Sequence, residues 1–169
     1  MATSLRVSPY TTKLHAGNTL WMAKLAKLVY LHLEDQLKTP DADNILNALK
    51  GEDKHFKEVI VAAKNSAQGM MVEHKDYFCL SFRGTDETLD WVDNLNAIAI
   101  PQLFGEFHRG FWNSVQDVWE ILFGQYQMRS RCEGNHKPLF LTGHSLGGAM
   151  ATVAAAILCH RDIPFTSCY

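Results

Sequence analysis

The stretch "LFLTGHSLGGAMATVAAA", Leu139 to Ala156, constrains the fold of this chain more than any other. An apolar run, Leu139, Phe140 and Leu141, leads straight into Gly143-His144-Ser145-Leu146-Gly147, and Gly147, Gly148, Ala149 and Ala151 open the next segment with almost no side-chain bulk. A bare GxSxG pattern is weak, because glycine and serine are common. A strand before it and a small-residue helix after it describe a sharp strand-to-helix turn that exposes a nucleophilic serine. Strand and helix crowd together there, so the positions two before and two after the serine must be nearly free of side chain, and Gly143 and Gly147 meet that demand. The helix start also aims free N–H groups at the place where negative charge develops when a carbonyl is attacked, with Leu146 as the natural donor. A plain helix cap is the competing reading of Ser145, but a cap needs no Gly-Gly-Ala run and no strand before it.

The remaining pattern supplies the scaffold. At 169 residues and 47% hydrophobic content the chain suits one domain with a sizeable core. Residues 18–34 place Trp21, Met22, Leu25, Leu28, Val29 and Leu33 at helical spacing, with Asn18 in the N-cap position. A short helix is expected from Asp41 or Asp43 to Lys50, stopped by Gly51. "HFKEVIVAAK", "GMMVEH" and "YFCLSFRG" read as three consecutive strands, joined at Asn65-Ser66 and Lys75-Asp76. A helix from Gly110 to about Arg131, a strand from Pro138 to Thr142, a helix from Leu146 to about His160 and a final strand over Pro164 to Tyr169 complete the order. Strand, helix, strand, helix, strand implies the α/β class, a mostly parallel sheet flanked by helices. Residues 1–17 form an N-terminal extension and residues 18–169 the domain.

Upstream, "YFCLSFRGTDETLDWVDNL" ends a strand in Arg83-Gly84-Thr85. On a nucleophile-elbow scaffold the second oxyanion donor comes from a loop after an earlier strand, and Thr85 occupies such a loop. "SFRGT", followed in order by "DWVDNL", "FHRGFWNSV" and "LTGHSLGGAMA", resembles the class 3 lipases, the fungal-type branch of the α/β-hydrolases, over residues 18–169. The resemblance implies an α/β-hydrolase fold, incomplete at the C-terminus, and hydrolysis of carboxylic esters such as acylglycerols. Ser145 is then the nucleophile, Thr85 and Leu146 the oxyanion donors, and Gly143, His144 and Gly147 the elbow. The segment after Arg-Gly-Thr often forms a lid in that family, and Leu89, Trp91, Val92 and Leu95 are placed to face an acyl chain or a lipid surface. A short helix packed on the core is the bland alternative for it. Phe104, Phe107, Phe111 and Trp112 are candidates for an acyl pocket or for plain core.

A serine nucleophile needs a base and an acid, which follow it in this fold in the order Ser, Asp or Glu, His. After Ser145 there are only His160 and Asp162, and His160, fifteen residues along the helix, falls about 22 Å away. His108 is weighed as a substitute base, and His144 as an orienting group. His15, His32, His55, His74 and His136 are expected at solvent-exposed positions. The sequence therefore reads as the N-terminal portion of a serine ester hydrolase, with an acyl-binding remnant lacking the triad acid and histidine as the alternative.

Sixteen basic against eighteen acidic residues, with no block of either sign, argue against a nucleic-acid surface. Cys79, Cys132, Cys159 and Cys168 show no metal-ligand spacing and read as reduced thiols packed as small hydrophobes. No metal and no cofactor is implied. The expected partner is a small-molecule or lipid ester, with self-association through the exposed edge of the sheet. No leader-like apolar core stands in "MATSLRVSPYTTKLHAG", so the expected location is cytoplasmic.

Overall fold

The computed structural model describes residues 5–11, 13–85, 98–132 and 135–169. Helices α1 (Ala16–Leu28) and α2 (Ala42–Glu52) precede strands β1 (Phe56–Lys64), β2 (Ala67–His74) and β3 (Phe78–Phe82). A hairpin of β4 (Ala99–Gln102) and β5 (Gly105–His108) leads into α3 (Arg109–Ser130), then β6 (Leu139–Gly143), α4 (Leu146–His160) and β7 (Ser167–Cys168). The main sheet has five strands in the order β1-β2-β3-β6-β7. β1, β2 and β3 are antiparallel neighbours, whereas β3–β6 and β6–β7 are parallel.

Period-two alternation divides the sheet between two cores. Phe78, Leu80 and Phe82 of β3 and Leu139 and Leu141 of β6 join Val118, Leu122, Met150 and Ile157 beneath α3 and α4. Cys79 and Phe140 join Met22, Leu25, Ile45 and Leu49 on the face covered by α1 and α2. The polar residues of that face are satisfied by the exit of α1. Ser81 Oγ donates to the Leu25 carbonyl at 3.2 Å and Thr142 Oγ1 to the Met22 carbonyl at 3.1 Å. These two bonds fix α1 against the central parallel pair.

Several expectations are corrected. Asn18 is not a cap: it is fully buried within α1, where His15 holds the N-cap position. The Asn18 side chain accepts from the Ser8 N–H at 2.7 Å and donates to the Ser8 carbonyl at 3.1 Å, which stitches residues 5–11 to the helix. α1 ends at Leu28 instead of running to Glu34, and the chain turns into a bridge between His32 and Pro40, leaving Leu33 exposed. Gly51 lies inside α2, which ends at Glu52 with Asp53 as its C-cap. The β4–β5 hairpin was not legible, because its turn is made by Leu103 at φ 49° and not by glycine or asparagine. Of the four cysteines only Cys79 packs as a hydrophobe, its thiol pushed up in pKa by burial; Cys132, Cys159 and Cys168 are exposed.

One ion pair lies almost entirely out of water. Lys137 Nζ donates to Glu73 Oε1 at 2.6 Å and to the His74 carbonyl at 2.8 Å, and it stands 4.4 Å from the Phe78 ring centroid. Burial alone would raise the Glu73 pKa, but the Lys137 hydrogen bond and charge, with Lys57 nearby, hold it below the usual range. Burial lowers Lys137 in turn. The pair joins the end of β2 to the segment entering β6, so removing one member strands the other charge. Glu73→Gln is expected to lower stability at neutral pH by about 3 kcal/mol in urea unfolding; an unchanged midpoint would show that the pair contributes nothing.

Candidate active site

β3 and β6 are parallel neighbours in a register that sets Phe82 opposite Gly143. The loops leaving them, Arg83-Gly84-Thr85 and His144-Ser145-Leu146, therefore emerge side by side at the same edge of the sheet. Crowding at that edge explains the glycines. A Cβ on Gly147 would run into the Phe82 carbonyl oxygen, and one on Gly143 into the Gly147 backbone. A Cβ on Gly84 would lie 2.5 Å from both the His144 carbonyl oxygen and the Tyr30 hydroxyl, and 3.3 Å from the Ser145 Cβ.

Ser145 has φ 56° and ψ −123°, a backbone state that side-chain-bearing residues rarely adopt. The surrounding turn holds it there: Gly147 N–H donates to the His144 carbonyl and Gly148 N–H to the Ser145 carbonyl, both at 2.9 Å. The first N–H of α4, that of Leu146, has no hydrogen-bond partner among the described residues. Ser145 is exposed and makes no side-chain cap bond, which distinguishes it from an ordinary N-cap serine. Among the described residues the Thr85 hydroxyl is buried without a partner. Burial of a hydroxyl without a bond is costly.

Tyr30 is a residue of this site that the sequence did not reveal. Its hydroxyl accepts from the Gly84 N–H at 3.1 Å and lies 3.3 Å from His144 Nδ1. The chain Gly84 N–H, Tyr30 hydroxyl, His144 ties the exit of the first helix, the Arg83-Gly84-Thr85 loop and the turn at Ser145 together, and the Arg83 guanidinium stacks 5.3 Å from the Tyr30 ring. His144 is thereby turned toward Tyr30. A hollow of about 650 Å³ adjoins the elbow on this side, lined by Ala23, Ala26, Tyr30, Gly143, His144 and Tyr169 among others.

The other candidates are placed as follows. His160 ends α4, and its ring lies 6.4 Å from that of Phe104, so both stand at the far end of the helix from Ser145. Phe104 is 68% exposed, while Phe107, Phe111 and Trp112 pack against the core; the aromatic cluster does not line the hollow beside the elbow. His108 caps α3, its Nδ1 accepting from the Phe111 N–H at 3.3 Å, with Nε2 buried and without a partner. Among the described residues no histidine hydrogen-bonds the Ser145 hydroxyl. Leu89, Trp91, Val92 and Leu95 lie outside the described residues. His74, expected in solvent, is buried at 6% exposure.

The model of the family described as "Lipase (class 3)" matches residues 79–167, more than half of the chain, from β3 through the elbow to β7. The chain belongs to the class 3 lipase family. It is 32% identical over 99 residues to a secreted mono- and diacylglycerol lipase of Fusarium solani, an alignment that takes in 51% of this chain and 26% of that protein. Its fold is similar to that of a triacylglycerol lipase described as having a serine-protease triad at its catalytic centre. That match has a TM-score of 0.70 and 19% identity over 88% of this chain and 56% of the other. The Rhizomucor miehei triacylglyceride lipase gives 0.66 and 18%, over 88% and 58%. These neighbours establish the α/β-hydrolase fold. The class 3 lipase chain spans about a quarter of the Fusarium protein and somewhat more than half of the two solved lipases. The expected cytoplasmic location is corrected, since the Fusarium relative is described as secreted.

The steric account of the elbow makes a direct prediction. Gly147→Ala should destabilise the chain by about 3 kcal/mol, because the clash is with backbone that cannot move aside. Gly51→Ala, whose Cβ would meet nothing within 4 Å inside α2, should instead stabilise it by about 1 kcal/mol. Thermal or urea unfolding of the two variants separates these opposite signs.

Proposed function

We propose that this chain carries the nucleophile and the oxyanion hole of a serine ester hydrolase that cleaves acylglycerols or related lipid esters. Ser145 Oγ attacks the ester carbonyl, and the oxygen that becomes negative is received by the Leu146 N–H and by Thr85, through its N–H and hydroxyl. The tetrahedral species collapses to an acyl-serine with loss of the alcohol, and water then releases the fatty acid. The observation that carries this reading is the pairing of two unspent donors, the Leu146 N–H and the buried Thr85 hydroxyl, beside an exposed serine in a strained turn. Tyr30 acts as a positioning residue, anchoring the oxyanion loop at Gly84.

The proton of Ser145 must go to a base, and none is in contact with it among the described residues. In this family the histidine and its acid follow the nucleophile in the chain, and the relatives extend well beyond the part matched here. The second reading, an acyl-binding chain that lacks an activated serine, is favoured by that same missing contact. The rate of fluorophosphonate labelling divides them, since only an activated serine reacts quickly.

In the catalytic reading, p-nitrophenyl ester hydrolysis falls at least about a thousandfold in Ser145→Ala. Thr85→Val lowers kcat about a hundredfold with little change in KM, because its hydroxyl meets charge present only in the transition state. Undiminished turnover in Ser145→Ala would overturn the assignment, and an effect of Thr85→Val confined to KM would remove Thr85 from the oxyanion hole.

A further inference from the structure

At the end of the sheet opposite Ser145, the neighbouring pair Asp53 and His55 converges with the distant His74. Asp53 is the C-cap of α2, His55 precedes β1 and His74 closes β2. The antiparallel register sets Glu73 beside Phe78, the first residue of β3, whereas the nucleophile loop leaves beside Phe82, its last. The whole length of β3 thus separates this cluster from the elbow.

Its geometry is compact. Asp53 Oδ1 accepts from the His55 backbone N–H at 2.9 Å and lies 2.6 Å from His55 Nδ1, and Asp53 Oδ2 lies 3.4 Å from His74 Nε2. One ligand atom from each of the three residues lies within 4.8 Å of the others. The atoms face a hollow of about 60 Å³, also lined by Arg6, Lys75, Asp76 and Tyr77. The His74 ring is held in place, stacked 4.6 Å from the Tyr77 centroid and edge-on to Phe56 at 4.9 Å.

We propose that Asp53, His55 and His74 form a binding site for a divalent transition-metal ion of the zinc class, remote from the ester-cleaving centre. Two imidazoles and one carboxylate suit Zn²⁺, Ni²⁺ or Cu²⁺, whereas Ca²⁺ and Mg²⁺ require oxygen ligands. Tetrahedral zinc with bonds of about 2.1 Å holds its ligand atoms roughly 3.4 Å apart, within a small side-chain adjustment of the spacing present. Water fills the fourth position from the hollow.

His74 turns its second nitrogen toward Asp76. Its Nδ1 faces the Asp76 N–H at 3.2 Å and Asp76 Oδ2 at 3.8 Å. Without metal, Nδ1 accepts from the N–H and Nε2 carries the proton toward Asp53. With metal on Nε2 the ring's single proton resides on Nδ1, and the Asp76 carboxylate, 3.8 Å away, would have to swing in to accept it. Asp53 and Asp76 offset Arg6 and Lys75, so the hollow is not closed to a cation. The ion would clamp the end of α2 to the start of β1 and the end of β2, and so act on stability and not on ester chemistry.

The test uses the tag-free chain with ZnCl2, and with CoCl2 as a spectroscopic substitute. Zn²⁺ should bind with one-to-one stoichiometry in calorimetry and raise Tm in a concentration-dependent manner reversed by EDTA; Co²⁺ should give the visible absorption of a four-coordinate site; MgCl2 and CaCl2 should do neither. His55→Gln should weaken Zn²⁺ binding at least roughly tenfold, as should Asp53→Asn. No saturable response of the unaltered chain, or undiminished Zn²⁺ binding in both variants, would overturn the site. Because binding is read without activity, either result leaves the ester-hydrolase reading untouched.

Discussion

The close approach of α4 to the end of β3 is the constraint on which the rest of the molecule depends. The helix can start where it does only because Gly147 lets the Phe82 carbonyl come against it, and Gly143 lets strand and helix fold back on each other. The same proximity forces Ser145 to positive φ, lifts its hydroxyl clear of the helix and frees the Leu146 N–H. Parallel pairing of β3 with β6 then brings the Arg83-Gly84-Thr85 loop alongside without any further device. The exposed serine, the unpaired Leu146 N–H and the loop beside them are thus consequences of one steric event.

What could be read from the sequence follows from how local the physics is. Gly143 and Gly147 were legible because the crowding that selects glycine acts within a five-residue window. Strands β1 to β3 and helices α3 and α4 were legible because burial on one face writes a period into the sequence. Asn18 was misread because its partner is Ser8, reached through space, and no pattern within the helix distinguishes a buried bridging amide from a cap. The turn at Leu103 was invisible for the opposite reason, a positive φ adopted by a residue type that rarely takes it.

The polar clusters were the least legible. Tyr30 enters the site from the other side of the sheet, and Asp53 and His55 meet His74 only because β1 and β2 pair in antiparallel register. Neither arrangement leaves a spacing motif. The buried ion pair of Glu73 and Lys137 has the same origin, joining β2 to the segment ahead of β6. Electrostatic sites of this kind are products of topology, and sequence order alone does not encode which charges will face one another.

The stitch between Ser8 and Asn18 has a consequence for the active face. α1 is fastened at one end by residues 5–11 and along its length by Ser81 and Thr142, and it delivers Tyr30 directly from its exit. The Arg83-Gly84-Thr85 loop is therefore moored to a mast whose foot is the N-terminal segment. Slack introduced at Ser8 would reach Gly84 as a loss of registration between that loop and the turn at Ser145.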